Sequence, residues 1–329
     1  MPRPPQRKDL RLLSKVSRSY YEQGLNQQEI ADRLRVSRSK VSRMLQQARD
    51  VGVVQITVLS PPSIYPDLEY RLESRFGLQE AIVVEVTAPA SQEAVSREVG
   101  PAGADYLQRT LAAGDVIGVT WGSTLNAMVS ALQPQVAHDV QVVQMLGGLG
   151  PPEAEVHATD LCRRMARALK GGLTLLPAPG IVDSQQVKEA ILSDSHVQRA
   201  MDLIPQISVA YVGIGAPTPT SVVVRDGSIA GQAELDDLLN RGAVGDIALR
   251  FFDAEGRPIH SGLDARVIGI TLEQLKGIDR AVGVAGGPEK AAAIRGALLG
   301  GLVNVLITDY ATAARLLQCP AETAEGALL

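Results

Sequence analysis

The sequence predicts an α/β protein: an N-terminal three-helix, helix-turn-helix domain followed by a doubly wound, mainly parallel, Rossmann-like domain. Two observations predict this architecture. Apolar residues recur at helical spacing within the first 50 residues, whereas after residue 78 short β-branched runs alternate with helical segments. Such alternation is typical of a parallel sheet covered by helices on both faces. We expect boundaries at 1–59, 60–78 and 79–329, the middle segment being a linker and oligomerisation helix.

The N-terminal domain begins with a helix predicted from Leu10 to Gln23, which Gly24 terminates. The segment Leu25–Asp50 then predicts a helix-turn-helix, because its apolar residues fall on the facing sides of two short helices. Ser37 is expected to cap the second helix. Arg35 lies in the turn where glycine is common, so the turn needs either a left-handed backbone at Arg35 or a different shape. The facing apolar residues are Ile30, Ala31, Leu34, Val41, Met44 and Leu45.

Charge is distributed unevenly along the chain. Residues 1–50 contain 12 Lys or Arg and 5 Asp or Glu, a net charge of +7, whereas the remainder contains 20 and 31, a net charge of −11. A basic segment beside an acidic body is typical of DNA binding confined to one end. The first turns of the second helix enter the major groove in helix-turn-helix proteins, where Arg, Lys and Ser reach base edges and phosphates. The alternative is a solvated amphipathic hairpin. The predicted DNA-binding residues are Gln27, Gln28, Ser37, Arg38, Ser39, Lys40, Ser42 and Arg43.

The composition argues against a membrane, secreted or metal-binding protein. The chain is 45% hydrophobic but only 3% aromatic, so its core is expected to be aliphatic. The longest apolar tract, Ala297–Ile307, is far shorter than the roughly 20 residues that span a bilayer, and the polar, basic N-terminus predicts no signal peptide. Cys162 and Cys319 lack metal-ligand spacing, which favours structural burial in a reducing cytoplasm. We therefore expect a cytoplasmic protein with no metal, no cofactor and no membrane partner.

After Gly52 the run VVQITVL alternates as a strand does, and Pro61, Pro62 and Pro66 then exclude regular structure. A helix is predicted over Asp67–Phe76. In the following domain the predicted strands include AIVVEV, DVIGVTW, VQVVQML, GLTLLPA, ISVAYVGIG, GDIALRFFD, RAVGVAGG and NVLITD.

Glycine-rich turns follow several of these strands. Trp121–Thr124 and Ala285–Lys290 each precede a helix, the first with two hydroxyls and the second with a lysine one turn in. Helix N-termini attract anions, and ligands of parallel sheets bind at the carboxyl ends of strands. Gly147-Gly148 follows a third strand, and Gly213 and Gly215 follow a fourth. One such turn is more often only a tight turn, but four in one sheet predict a phosphorylated ligand.

The order of these motifs resembles the SorC family of bacterial transcriptional regulators. The motifs are the helix-turn-helix, a proline linker, VTWGSTL, LGG, GIG, GDI followed by FFD, AGGPEK and LITD, and they cover nearly the whole chain. The resemblance implies an effector domain similar to glucosamine-6-phosphate and ribose-5-phosphate isomerases. It also implies a homo-oligomer, a tetramer or a dimer, whose binding to double-stranded operator DNA is controlled by a phosphorylated sugar.

The resemblance also assigns roles to residues. Gly122, Ser123 and Thr124 would hold the effector phosphate with Lys290, and Asp246 of the GDI motif would accept hydrogen bonds from sugar hydroxyls. Leu146 replaces a basic residue that some relatives carry, which puts in question a second phosphate or covalent lysine contact at that position. The full set of expected effector contacts is Gly122, Ser123, Thr124, Gly147, Gly148, His157, Asp246 and Lys290.

Three polar residues keep alternative interpretations. His157 could contact the effector or serve as a surface or capping residue, and Asp309 is favoured as a helix cap over a ligand contact. Gln144, near a strand end, could face the pocket.

Two functions remain open at this point. The favoured one is a non-enzymatic, ligand-controlled DNA-binding regulator. The other is a sugar-phosphate isomerase or deaminase with an appended basic domain, which needs a general base beside the substrate carbon. Asp246 is the only acid that the sequence suggests for that role.

Overall fold

The computed structural model describes residues 7–56, 63–87, 91–134, 139–148, 152–218 and 231–318, with the side chains of 7–9 and 152–158 outside the description. The chain divides into two compact units, residues 1–61 and 62–329. Among the described residues no helix is both long and apolar enough to cross a membrane.

The first unit is helical. Helix α1, Arg7–Ser17, continues into a π-helical turn at Arg18–Glu22, which corresponds to the end of the predicted first helix. The strand predicted after Gly52 is absent over residues 53–56, where Val53 and Val54 instead pack against the helical core, and residues 57–59 lie outside the described ranges. The helices are α1 Arg7–Ser17, α2 Gln27–Leu34 and α3 Arg38–Asp50. Their core is Leu13, Val16, Ile30, Ala31, Val41, Met44, Leu45 and Ala48.

Local hydrogen bonds fix the start of α2 and the turn between α2 and α3. The Asn26 side chain accepts from the N–H of Glu29 at 3.0 Å, and the Glu29 carboxylate accepts from the N–H of Asn26 at 2.7 Å, forming a capping box. Arg35 ends α2 with φ 51° and ψ 48°, so the left-handed alternative is confirmed. The Ser37 hydroxyl accepts from the N–H of Lys40 at 3.3 Å, which confirms the predicted cap of α3.

The second unit contains a seven-stranded sheet within the described residues. Its order is β1-β9-β8-β5-β2-β3-β4, and every neighbouring pair is parallel, as the alternating sequence predicted. The strands are β1 Glu80–Val84, β2 Val116–Val119, β3 Gln141–Gln144, β4 Gly172–Thr174, β5 Val209–Val212, β8 Arg280–Val284 and β9 Val305–Asp309.

Helices cover both faces of this sheet, each over its own apolar cluster. On one face Val99 of α5, Leu125 of α6 and Leu161 of α7 pack with strand residues. On the other face Leu72 of α4 and Ile294 of α12 belong to a second cluster. The helices are α4 Pro66–Phe76, α5 Gln92–Thr110, α6 Ser123–Ala131, α7 Pro152–Leu169, α8 Gln185–Leu192, α9 Ser195–Met201, α10 Gln232–Asn240, α11 Leu272–Lys276, α12 Ala291–Leu299 and α13 Tyr310–Gln318. The doubly wound architecture is therefore confirmed.

The segment GDIALRFFD is not a strand of the large sheet, so that prediction was wrong. It forms an antiparallel hairpin of β6 Gly245–Ile247 and β7 Arg250–Phe252. Ala248 and Leu249 turn the hairpin with φ of 54° and 61°, the geometry of a two-residue loop that usually contains glycine or asparagine. The sequence offered no such turn residue, and its apolar run looked continuous.

The hairpin is held by a buried arginine. The guanidinium of Arg250 donates to the Asp264 carboxylate at 2.7 Å and to the carbonyl of Ile270 at 3.1 Å. Further bonds reach the carbonyls of Val267 and Gly269. These contacts fix the hairpin against residues 264–270.

Helix α4 belongs to the second unit, although the sequence suggested a separate linker over residues 60–78. Its Leu72 is fully buried. The Glu69 and Glu73 carboxylates each accept a bond of 2.9 Å from an N–H of β1, at Val83 and Ala81 respectively. Because β1 is an edge strand, α4 occupies donors that the sheet leaves free. The predicted oligomerisation role of this helix stays a prediction.

Candidate functional site

The first unit presents a basic, exposed surface on α3. Val41, Met44 and Leu45 point into the core, so the opposite side of the helix is left to Arg38, Ser39, Lys40, Ser42 and Arg43, all of them exposed. The remaining predicted contacts, Gln28 and Ser37, are also exposed, whereas Gln27 is half-buried. This surface has the donors and the positive charge that phosphates and base edges bind.

The second unit contains a cavity of about 260 Å³. It lies beyond the carboxyl ends of β2 and β5 and beside the loop that follows β8. Strand order runs outward from β2 through β3 and β4 on one side and through β5 and β8 on the other. The cavity therefore lies at the switch point where ligands of doubly wound sheets bind. It is lined by Gln92, Thr120, Trp121, Gly122, Ser123, Thr124, Leu125, Gly213, Ile214, Gly215, Ala216, Thr218, Asp246, Ala248, Glu289 and Lys290.

One wall of the cavity is the N-terminus of α6. Gly122 precedes this helix with φ 137°, and no side chain caps it. The N–H groups of its first turn therefore lack intrahelical acceptors. The buried Ser96 hydroxyl lies 3.0 Å from the Thr124 hydroxyl and 3.3 Å from the Ser123 hydroxyl, which positions both groups. This wall suits an oxyanion.

Asp246 lies on another wall, and its position depends on Gly215. The two residues exchange backbone hydrogen bonds of 2.9 and 3.1 Å. A Cβ on Gly215 would lie only 2.0 Å from an oxygen of the Asp246 carboxylate, so any larger residue there would displace this carboxylate. Burial raises the pKa of Asp246 to about 6, partly offset by the bond from the Leu249 N–H and the positive charge of Lys290.

Lys290 reaches the cavity from a short 3₁₀ turn, Pro288–Lys290, that precedes α12. Burial lowers the pKa of Lys290, and the neighbouring Asp246 carboxylate opposes that effect. Asp309 holds the loop before this turn, because its carboxylate accepts from the Gly287 N–H at 2.7 Å. The same carboxylate accepts from the Thr312 N–H at 2.9 Å, so its predicted capping role is confirmed.

Five of the predicted effector contacts therefore meet at one cavity: Gly122, Ser123, Thr124, Asp246 and Lys290. Gly147 and Gly148 do not join them. Their N–H groups donate to the carbonyls of Ile268 at 3.1 Å and Ala178 at 2.9 Å. A Cβ on Gly147 would lie 2.5 Å from the Ala178 carbonyl oxygen, so the double glycine serves close backbone packing, and we leave it out of the proposed site.

Two other polar residues that the sequence singled out are His157 and Gln144. His157 belongs to α7, but its side chain is outside the described residues. The Gln144 amide is buried and donates to the Leu146 carbonyl at 2.7 Å, so it does not face the cavity as the sequence suggested.

The structure adds lining residues that the sequence did not single out. Gln92 at the start of α5 donates to the Gly286 carbonyl at 3.1 Å, and nothing in its local sequence signals this role. Trp121 and Glu289 also line the cavity. They belong to the segments Trp121–Thr124 and Ala285–Lys290, in which the glycines, hydroxyls and lysine, but not these two side chains, suggested a ligand site.

Comparison with known proteins gives the family. Residues 61–318 match the family model described as "Putative sugar-binding domain", and residues 15–51 match the model described as "Sigma-70, region 4". The chain is 33% identical over 317 residues to the sorbitol operon regulator of Klebsiella pneumoniae, covering 94% of this chain and 98% of that protein. The chain belongs to the SorC family of transcriptional regulators.

A second regulator and a solved structure support the same assignment. The deoxyribonucleoside regulator of Bacillus subtilis is 35% identical over 310 residues, covering 94% of this chain and 98% of that protein. The crystal structure of the full-length sorbitol operon regulator SorC from K. pneumoniae superposes with a TM-score of 0.72 at 31% identity, covering 94% of this chain and 99% of that one. This SorC-family protein is thus a DNA-binding transcriptional regulator with a sugar-binding domain.

Proposed function

We propose that this regulator binds operator DNA through α3 and that a phosphorylated sugar in the cavity of the second unit controls that binding. The cavity carries the proposal, because it combines two chemistries. The α6 N-terminus, the Ser123 and Thr124 hydroxyls and Lys290 offer donors and positive charge to a phosphate. Asp246 offers a buried acceptor to sugar hydroxyls.

The ligand class is tested with the protein's own fluorescence. Trp121 is the single tryptophan of the chain and lines the cavity, so its emission reports occupancy. We expect saturable changes with one or more sugar phosphates and at least about tenfold weaker binding of the unphosphorylated sugar, since charge-assisted bonds contribute about 1.5–3 kcal/mol each. Lys290→Gln should weaken the phosphorylated form selectively, whereas Asp246→Asn should weaken both. Equal affinity for both sugar forms would refute the assignment of the phosphate.

Control of DNA binding is tested separately. Fluorescence anisotropy with the upstream DNA should show sequence-dependent, salt-sensitive binding that shifts when the sugar phosphate is added. Such a shift requires different ligand affinities in the free and DNA-bound forms. DNA affinity that is unchanged at saturating ligand would contradict the proposed control.

The oligomeric state and the compartment belong to the same proposal. Helix-turn-helix proteins commonly read paired half-sites as symmetric dimers, so we expect a dimer or tetramer. On α4 the Tyr70 side chain is 69% exposed, which supports a role of this helix in association. Light scattering of the full chain tests this, and a monomer at micromolar concentration would oppose it. Action on chromosomal DNA implies the cytoplasm.

We further propose that the cavity binds its ligand without turnover. One observation favours the enzymatic alternative, since a buried carboxylate with a pKa of about 6 could serve as a general base. The relatives compared above are named as regulators, which supports binding alone. NMR of aldose and ketose phosphates incubated with the protein should show no interconversion. Turnover that disappears in Asp246→Asn would establish the isomerase alternative.

A further inference from the structure

The Pro288–Lys290 turn has a second, larger cleft on its other side. This cleft has a volume of about 540 Å³ and is formed by the turn, the first turns of α12 and the middle of α13. Glu289 lines both the cleft and the cavity described above, so the turn is a shared wall. Its lining residues are Val244, Ala254, Pro288, Glu289, Ala291, Ala292, Arg295, Arg315 and Leu316.

Two arginines, Arg295 and Arg315, line this cleft. Within the described residues, neither Arg295 nor Arg315 forms a salt bridge. Glu289 also lines the cleft, but its carboxylate is not paired with either arginine. The Nε of Arg295 is buried and has no hydrogen-bond partner in the described part of the chain. A buried donor left without an acceptor destabilises the fold. Arg295 therefore carries at least one donor that no acceptor in the described part of the chain satisfies.

Arg315 is only lightly engaged. One of its amino groups donates to the Pro288 carbonyl across a long 3.4 Å contact, and among residues 7–318, as far as they are described, the rest of its guanidinium has no other acceptor. Arginine pairs bind oxyanions well, because each planar guanidinium can donate two parallel hydrogen bonds to carboxylate or phosphate oxygens.

We propose that this cleft is a second anion-binding site, distinct from the effector cavity, that takes a phosphate or carboxylate group of a small molecule between Arg295 and Arg315. The apolar lining of Val244, Ala254 and Leu316 would contact the remainder of that molecule. Glu289 limits where in the cleft the anion can bind, because its carboxylate repels an anion that approaches the Pro288–Lys290 turn.

The test uses full-length protein carrying Lys290→Gln, which disables the proposed effector cavity and leaves the cleft lining intact. Titration calorimetry at constant ionic strength is run with inorganic phosphate and, in a second arm, with citrate, so that the two oxyanion classes are distinguished. We expect saturable binding of at least one. Because the background lacks Lys290, this result does not depend on the proposed effector site.

Two variants locate the site in that background. Arg295→Gln should weaken anion binding about tenfold or more, as loss of a charge-assisted pair predicts. Ala292→Glu, one helical turn from Arg295 on α12, should place the chain's own carboxylate in the cleft, abolish binding and raise the melting temperature. The Ala292 variant remains informative if the Arg295 variant folds poorly.

Matched controls make the outcome decisive. Leu299→Glu adds the same charge at an exposed position on the same helix outside the cleft, and Arg241→Gln removes an exposed arginine elsewhere. Both should bind the anion as the background protein does. The proposal is overturned if neither anion binds saturably, if Arg295→Gln and Ala292→Glu leave affinity unchanged, or if these two variants change only the oligomeric state measured by light scattering.

Discussion

Replacing Asp246 with asparagine should change how the stability of the second unit depends on pH. Burial raises the pKa of this carboxyl from 3.8 to about 6 in the folded protein, whereas the unfolded chain keeps the ordinary value. The folded state therefore binds more protons than the unfolded state between these values. Stability falls as pH rises through this window, by up to about 1.4 kcal/mol per pH unit and by about 3 kcal/mol in total.

The neutral, isosteric Asp246→Asn variant lacks this penalty at every pH. The difference in unfolding free energy, variant minus wild type, should therefore increase by about 2.4 kcal/mol from pH 4 to pH 7 and remain nearly constant above pH 7. Urea denaturation monitored at Trp121 measures the unit that contains the cavity. A matched control is Asp237→Asn, which removes an exposed carboxylate paired with Arg241.

The sign of the pH dependence of this free-energy difference tests the reasoning. A free-energy difference that stays flat between pH 4.5 and pH 7.5 would refute the reasoning, because it would mean that the Asp246 carboxyl is solvated in the folded protein. A difference that decreases with pH would mean that Lys290 stabilises the ionised carboxylate more than burial destabilises it.

Three further predictions follow from the contacts described above. Arg43→Ala should weaken specific operator binding by about 1–3 kcal/mol in an anisotropy titration if Arg43 makes a bidentate base contact, and unchanged affinity would remove it from the recognition surface. Gly215→Ala should displace the Asp246 carboxylate, because the new Cβ would lie 2.0 Å from it, and weaken sugar binding about tenfold or more by Trp emission; wild-type affinity would contradict this. Arg250→Met should lower the unfolding free energy by about 3–5 kcal/mol in urea, because it leaves the half-buried Asp264 carboxylate and several carbonyls without their donor, and a loss below 1 kcal/mol would count against the network.

Sequence reasoning located the parts of the fold that depend on local pattern. The parallel strands followed from β-branched runs, and the Ser37 cap followed from its place just before the second helical face. For Arg35 the sequence left a left-handed backbone and a different turn open, and the structure has the first. The hairpin of β6 and β7 was missed because Ala248 and Leu249 adopt positive φ without the residues that normally favour it. Tertiary contacts, including those of Arg250, hold this turn where local propensity does not.

In the candidate site, too, some residues could be predicted from local sequence and others could not. Residues next to strand ends, such as Ser123 and Lys290, could be predicted because parallel strands bring their carboxyl ends to one edge. The double glycine at Gly147 has the same local pattern but a different role, since its amides pair with a neighbouring segment. Gln92 could not be predicted, because only the packing of α5 against the Gly286 loop brings it to the cavity.

The two carboxylates that α4 sends to β1 have a consequence for how copies of this protein can associate. An exposed edge strand invites another chain to pair with it, and here Glu69 and Glu73 already saturate the N–H groups of Val83 and Ala81. While α4 stays docked, an incoming strand would have to displace these two carboxylates to reach the Ala81 and Val83 donors. The docked helix therefore disfavours lengthening of the β-structure from one subunit into the next at this edge, and it leaves Tyr70 exposed to solvent.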